Sequence, residues 1–146
     1  MIIRRILVAV DGSDDSINAS NYAIDMAKEL EASLTVLFVV SPATYIDFGY
    51  ANIGTMNEFE STKKKLAQNE VDKVNKKAME KGVTVNTDVL INYKSVVMEI
   101  VEYAEKHKVD LIITGSRGMT GFRKMLLGSV ASGVVTYAHC PVLVVK

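Results

Sequence analysis

The sequence predicts an α/β domain in which five strands alternate with helices on one mostly parallel sheet. Three observations carry that prediction. Most of the candidate strands are continuous apolar runs, as in Ile6-Leu7-Val8-Ala9-Val10 and Leu111-Ile112-Ile113-Thr114, which is the pattern of strands buried on both faces. Between consecutive runs lie stretches with apolar residues at helical spacing. Turn and cap residues stand at most junctions, and the resulting order β-α-β-α-β-α-β-α-β calls for right-handed crossovers. No linker, low-complexity tract or short internal repeat interrupts it, so residues 1–146 read as one domain.

Taken in order, Ile2 to Val10 reads as the first buried strand, broken only by Arg4-Arg5 and closed by the turn Asp11-Gly12-Ser13-Asp14. Residues 14–31 follow as a helix with Ile17, Ala23, Ile24, Ala27 and Leu30 near helical spacing. Asp14 and Asp15 in its first turn suit the positive end of the dipole. Leu34 to Val40 is a second continuous strand, ended by Ser41-Pro42. Residues 43–55 show no period and read as a long loop carrying Tyr45, Phe48 and Tyr50, for packing over the sheet edge or for a lid or partner role.

Thr55-Met56-Asn57-Glu58 fits a capping box. The helix it opens runs to Lys81, with Phe59, Leu66, Ala67, Val71, Val74 and Ala78 on one stripe and Gly82 as its C-cap. Val83 to Ile91 alternates apolar with polar residues, as expected of an edge strand or one with a wetter face. Ser95 caps a third helix with Val97, Ile100, Val101 and Ala104 on its inner side. Asp110 to Thr114 is the fourth strand. A last helix, marked by Val130, Val134 and Ala138, leads to the fifth strand at Pro141 to Val145.

Composition narrows the function classes. With 49% hydrophobic and 23% charged residues the chain has the makings of a soluble globular protein. Its 17 basic and 17 acidic residues cancel, so no net charge draws it to nucleic acid or to a lipid surface. The lysine run Lys63-Lys64-Lys65 is interleaved with Glu58, Glu60, Glu70 and Asp72 and reads as a solvated face. Cys140 is the single cysteine, which fits a reducing compartment. The apolar run after Arg4-Arg5 is too short for a signal segment, and no stretch approaches the ~20 residues that span a bilayer. The expectation is a cytoplasmic protein.

The chemistry concentrates between Gly115 and Ser129. Three glycines (Gly115, Gly118, Gly121) fall within seven residues after the fourth strand, and Gly128-Ser129 opens the last helix. Glycines let a ligand approach the main chain closely, and a helix N-terminus offers N–H groups and a positive dipole end to an anion. The same residues also read as an ordinary turn and N-cap. Neither G-x-x-x-x-G-K-[ST] nor G-x-G-x-x-G is present. Ligands of open α/β sheets bind beyond the carboxyl ends of the strands where strand order reverses. If strands one and four are neighbours, Asp11 faces the same crevice as the glycine segment. There it serves ribose hydroxyls, holds a metal through water, or merely stabilises its own turn or caps the first helix.

The spacing Gly115-x2-Gly118-x9-Gly128-Ser129 resembles the ATP-binding signature of the universal stress protein family. The likeness extends through Ile6 to Ser13, Val109 to Gly118, Leu126 to Val130 and Cys140 to Val145. It implies a single open, parallel five-stranded sheet in the order 3-2-1-4-5 with helices on both faces, Rossmann-like and of the adenine-nucleotide alpha-hydrolase type. Carried over by position, Ala9, Val10 and Asp11 border ribose and adenine, and Val39 offers main-chain groups to the adenine edge. Gly115, Ser116, Arg117 and Gly118 cradle the phosphates, completed by Gly128, Ser129 and Val130. The implied cofactors are ATP and Mg2+ or Mn2+, with Asp11 as an indirect metal contact. The implied partner is a second copy of the chain paired through Val142, Leu143, Val144 and Val145. Asn92-Tyr93-Lys94-Ser95 departs from the family, standing where a glycine is common.

No catalytic set is expected. His107 and His139 lack a carboxylate or thiol at motif spacing, and Cys140 before Pro141 reads as a packing residue. The leading expectation is an ATP-binding stress-response protein acting as a nucleotide-dependent homodimeric switch, with a further protein partner unidentified and neither nucleic acid nor membrane bound. The alternatives are a slow ATPase or adenylyl-handling enzyme on the same fold, and a structural stress dimer without nucleotide.

Overall fold

In a computed structural model of the chain, residues 1–41, 56–118 and 127–146 are described. The expected loop 43–55, the Thr55 end of the capping box and the segment with Gly121, Arg123 and Lys124 lie outside them. Strand β1 (Arg5–Val10) is followed by α1 (Asp14–Leu30), β2 (Ser33–Val40), α2 (Met56–Glu80) and β3 (Val85–Ile91). Helix α3 (Val96–Lys106), β4 (Leu111–Gly115), α4 (Ser129–Tyr137) and β5 (Val142–Val145) complete the order.

The strands form one sheet in the order β3-β2-β1-β4-β5, every pair parallel. Side chains alternate across it. Ile6, Val8 and Val10 of β1 join Leu34, Val36, Leu111 and Ile113 in the core under α1 and α2. Leu7 and Ala9 point the other way, with Leu37, Ile112, Ile100, Ala104 and Val134, into the core under α3 and α4. Both faces of the three central strands are covered, which explains their unbroken apolar runs.

Several boundaries differ from the sequence reading, each for a local reason. Strand β1 starts at Arg5, and Ile2 is 71% exposed. The Asp110 carboxylate accepts the main-chain N–H groups of Arg4 and Arg5 at 2.9 and 2.8 Å, so pairing begins where that anchor holds. Those N–H groups, Arg4 first, hold the Asp110 carboxyl below its ordinary value against the opposing effect of burial. Strand β3 begins at Val85, and Val83 closes the turn after α2 by donating its N–H to Ala78 O.

The buried stripe of α1 contains Ser16 and Ser20, while Leu30 is 46% exposed. Ser20 is tolerated inside because its hydroxyl donates to Ile17 O at 2.7 Å. In α2 the buried residues are Ala67, Val71, Val74 and Ala78. Leu66 lies about 100° round the helix from Ala67 and is 51% exposed, a correction to the predicted stripe. Gly82 takes the positive φ (+75°) expected of its C-cap, whereas α1 ends on Glu31 with φ 51°.

Candidate functional site

The strand order reverses at β1, whose neighbours are β2 on one side and β4 on the other. Asp11 and Gly115 therefore close adjacent strands, and the turns that follow them meet at one end of the sheet. The β1–α1 turn is internally braced. Asp11 Oδ1 accepts the Ser13 N–H at 2.9 Å, and the Ser13 hydroxyl caps α1 by accepting the Ser16 N–H at 3.2 Å. Ser16 Oγ donates to Ser13 O at 2.9 Å and accepts the Asp11 N–H at 3.3 Å. One Asp11 oxygen thus stabilises its own turn, as one of the sequence alternatives held, and Oδ2 is directed elsewhere.

That direction is toward Gly118. A Cβ placed on Gly118 would lie 2.9 Å from Asp11 Oδ2, closer than carbon and oxygen tolerate. The β4 loop thus passes so close to the Asp11 carboxylate that a side chain at 118 would push Asp11 Oδ2 aside. Gly128 closes the other side, with its N–H donating to Ser116 O at 2.6 Å and a Cβ there 3.3 Å from Arg117 Cα. Helix α4 starts from Gly128 with no side-chain cap bond. A glycine cap has no oxygen to offer the first-turn N–H groups, which Ser129 and Val130 provide at the rim of this cleft.

Gly115 serves a different purpose. A Cβ on it would fall 2.7 Å from the Asp15 carbonyl carbon and 2.9 Å from its oxygen. Here the missing side chain lets the first turn of α1 press against the end of β4. Asp15 exploits that approach. Its Oδ2 accepts the Ser116 hydroxyl at 2.7 Å and the Arg117 N–H at 3.1 Å, and Arg117 Nε lies 3.9 Å away. Arg117 Nε is buried and has no hydrogen-bond partner among the described residues. Ser13 adds a long bond, its hydroxyl to Arg117 O at 3.5 Å, and the Ser116 N–H is held by Val145 O at 2.8 Å.

A family model for the universal stress protein family matches residues 3–146. The chain belongs to the universal stress protein family. It is 41% identical over 145 residues to a universal stress protein of Methanocaldococcus jannaschii, covering 99% of this chain and 83% of that protein. Among solved structures it resembles universal stress protein UspA from Lactobacillus plantarum with a TM-score of 0.84 and 25% identity, over 100% of this chain and 99% of that one. Two further universal stress protein structures share the fold and were solved with ligands. One, in complex with cAMP, has a TM-score of 0.69 and 24% identity, over 100% of this chain and 98% of that one. The other, from Archaeoglobus fulgidus in complex with dAMP, has a TM-score of 0.67 and 22% identity, over the whole of both chains.

Within this universal stress protein fold, Ala9 and Val39 belong to the α3/α4 side of the sheet, and Val130 packs against the same core. Val10 belongs to the opposite core, so only its main chain can serve a ligand on the Ala9 side. Asp11, Ser116, Arg117, Gly118 and Gly128 gather at the cleft described above. The N–H groups of Ser116, Arg117 and Gly128 are bonded within the protein. Among the described residues, Gly118 and the α4 terminus are what this end of the sheet chiefly offers a ligand.

Sequence reasoning missed Asp15 and Ser16. Nothing local could reveal that Asp15 bonds a loop 101 positions away, because its placement in a first helical turn already had a sufficient reason. The Asn92 loop is braced by its own side chain: Asn92 Oδ1 accepts the Lys94 and Ser95 N–H groups, and its amide donates to Glu99. His107 stacks on Tyr103 with ring centroids 4.0 Å apart. Burial raises the Cys140 thiol above its ordinary value, which suits a packing residue. No group of three His, Cys, Asp or Glu side chains suited to a metal occurs among the described residues, and none of their helices is long and apolar enough to cross a membrane.

Proposed function

We propose that this universal stress protein is a regulatory nucleotide-binding protein that seats ATP where β1 and β4 end, and that its occupancy is read out by a homodimer. The observation that carries the reading is the contact of Gly118 with Asp11, a cradle that any Cβ would fill. Ribose hydroxyls need an acceptor at the end of β1, and Asp11 Oδ2 is turned toward the cleft. The adenine would lie over Ala9 and Val39 beside Val130, on the α3/α4 side of the sheet. The phosphates would meet the Gly118 main chain and the first turn of α4, a geometry suited to anions.

The cAMP and dAMP complexes of two fold neighbours support an adenine nucleotide as the ligand class. Asp11 and Asp15 place two carboxylates beside the proposed phosphates, so a triphosphate would arrive with Mg2+ or Mn2+. Such an ion would take Asp11, directly or through water, together with phosphate oxygens. Hydrolysis, if any, is expected to be slow. The dimer would form on β5, an edge strand of four apolar residues, Val142 to Val145, of which only Val145 is buried. The proposed setting is the cytoplasm.

The test is denaturing extraction of the purified protein, followed by thermal unfolding with adenosine, AMP, cAMP and Mg-ATP. A ligand at a hundredfold excess over its dissociation constant should stabilise by ~2.7 kcal/mol. Absence of both retained nucleotide and any ligand-induced rise in midpoint would overturn the reading.

A further inference from the structure

We propose that Asp15 limits how much negative charge the cleft accepts, and so is a specificity-determining residue that disfavours polyphosphates presented without a metal. Asp15 is an anion already lodged in the loop. Its Oδ2 holds the Arg117 N–H at 3.1 Å and the Ser116 hydroxyl at 2.7 Å, two donors that would otherwise be offered to a phosphate. The Ser116 N–H is committed to Val145 O. Of the three N–H groups from Ser116 to Gly118, two are therefore bonded within the protein.

The same carboxylate draws on the Arg117 cation. Arg117 Nε stands 3.9 Å from Asp15 Oδ2, so its charge is partly offset before any ligand arrives. Asp11 Oδ2 lies 2.9 Å from the Cβ position of Gly118 in the same loop. An incoming phosphate chain thus meets two carboxylates at this loop. Like charges within ~4–6 Å shift a protonation equilibrium by tenfold or more, and the same repulsion acts on a bound phosphate. A nucleoside or singly charged nucleotide escapes most of it, and each further phosphate does not.

Asp15→Asn tests this, because an asparagine oxygen can still accept from Ser116 and Arg117 while the charge is gone. Asp14→Asn, in the same helical turn but exposed, is the matched charge control. Affinities for adenosine, AMP, ADP and ATP would be measured by calorimetry in EDTA. Asp15→Asn should raise the ATP-to-adenosine affinity ratio about tenfold over wild type, and Asp14→Asn should leave it unchanged. An unchanged ratio in Asp15→Asn, or an equal rise in Asp14→Asn, would overturn the inference and leave the nucleotide reading intact.

The adenosine series rests on that reading, so a second probe stands apart from it. Inorganic tripolyphosphate, which carries no base, should raise the thermal midpoint of Asp15→Asn more than that of wild type or Asp14→Asn. Equal shifts in all three proteins, including no shift in any, would count against Asp15 whatever the fate of the nucleotide reading. Failure of adenosine and all its nucleotides to bind any of the three would instead overturn the nucleotide reading.

Discussion

Gly115→Ala separates a packing glycine from a ligand glycine. The new methyl would sit 2.7 Å from the Asp15 carbonyl carbon, 2.9 Å from its oxygen and 2.9 Å from its Cβ. Two of these three atoms are backbone, so relief requires the start of α1 to move away from β4. Overpacking of this kind costs about 1–3 kcal/mol. Restricting the unfolded chain returns about 0.4–1 kcal/mol. The expected net loss is about 1–2 kcal/mol, which for a chain of this size lowers the thermal midpoint by about 3–6 °C. Urea titration and thermal unfolding followed by circular dichroism would measure it.

Gly82→Ala is the companion. Gly82 has φ +75° but nothing within 4 Å of its Cβ position, so its loss should reflect only the left-handed backbone, ~1 kcal/mol, with no movement of α1. A Gly115→Ala protein as stable as wild type would refute the reasoning, because α1 could not then press on β4 as described.

Two further outcomes follow from contacts elsewhere. A Cβ on Gly133 of α4 would meet Val97 Cγ2 at 2.6 Å and Cγ1 at 2.8 Å, so Gly133→Ala should destabilise wild type by about 1–2 kcal/mol despite better helix propensity. In a Val97→Ala background the same change should be neutral or stabilising, and equal effects in both backgrounds would contradict the close α3–α4 crossing. Tyr103 Oη donates to Asp88 Oδ2 at 3.2 Å, and burial first, then the Asp88 charge and that bond, push its phenol up to about 12. A raised value means its contribution to stability is full below the unfolded pKa of about 10 and is lost as pH rises through about 12. Absorbance at 295 nm should show one of the six tyrosines ionising late, a step absent in Tyr103→Phe; a wild-type titration superimposing on that of Tyr103→Phe would contradict it.

The sheet was legible because its central strands are apolar on both faces and each is followed by a distinct turn. The alternation of Val83 to Ile91 left open an edge strand or one with a wetter face, and β3 stands at the edge. What escaped was decided by contacts distant in sequence. Periodicity alone placed Leu66 and Leu30 inward, but sheet and neighbouring helix determine how far round a stripe is covered, and small residues such as Ala67 and Ser16 took the closest positions. The site was legible as a set of positions but not as a set of roles. Glycines at 115, 118 and 128 look alike in the sequence, yet Gly115 admits α1, Gly118 admits the Asp11 carboxylate and Gly128 admits the Arg117 backbone. Asp15 suited the helix dipole equally well whether or not it reached Ser116.

The most direct test of the nucleotide seat is calorimetric titration of Mg-ATP into wild type and Gly118→Val, after both are stripped of any retained nucleotide. A valine at 118 would drive its Cβ to 2.9 Å from Asp11 Oδ2 and fill the cradle. The account predicts binding near one nucleotide per chain in wild type and its loss in Gly118→Val, with the thermal midpoint of the free variant close to that of wild type. Equal affinity in the two proteins would contradict it.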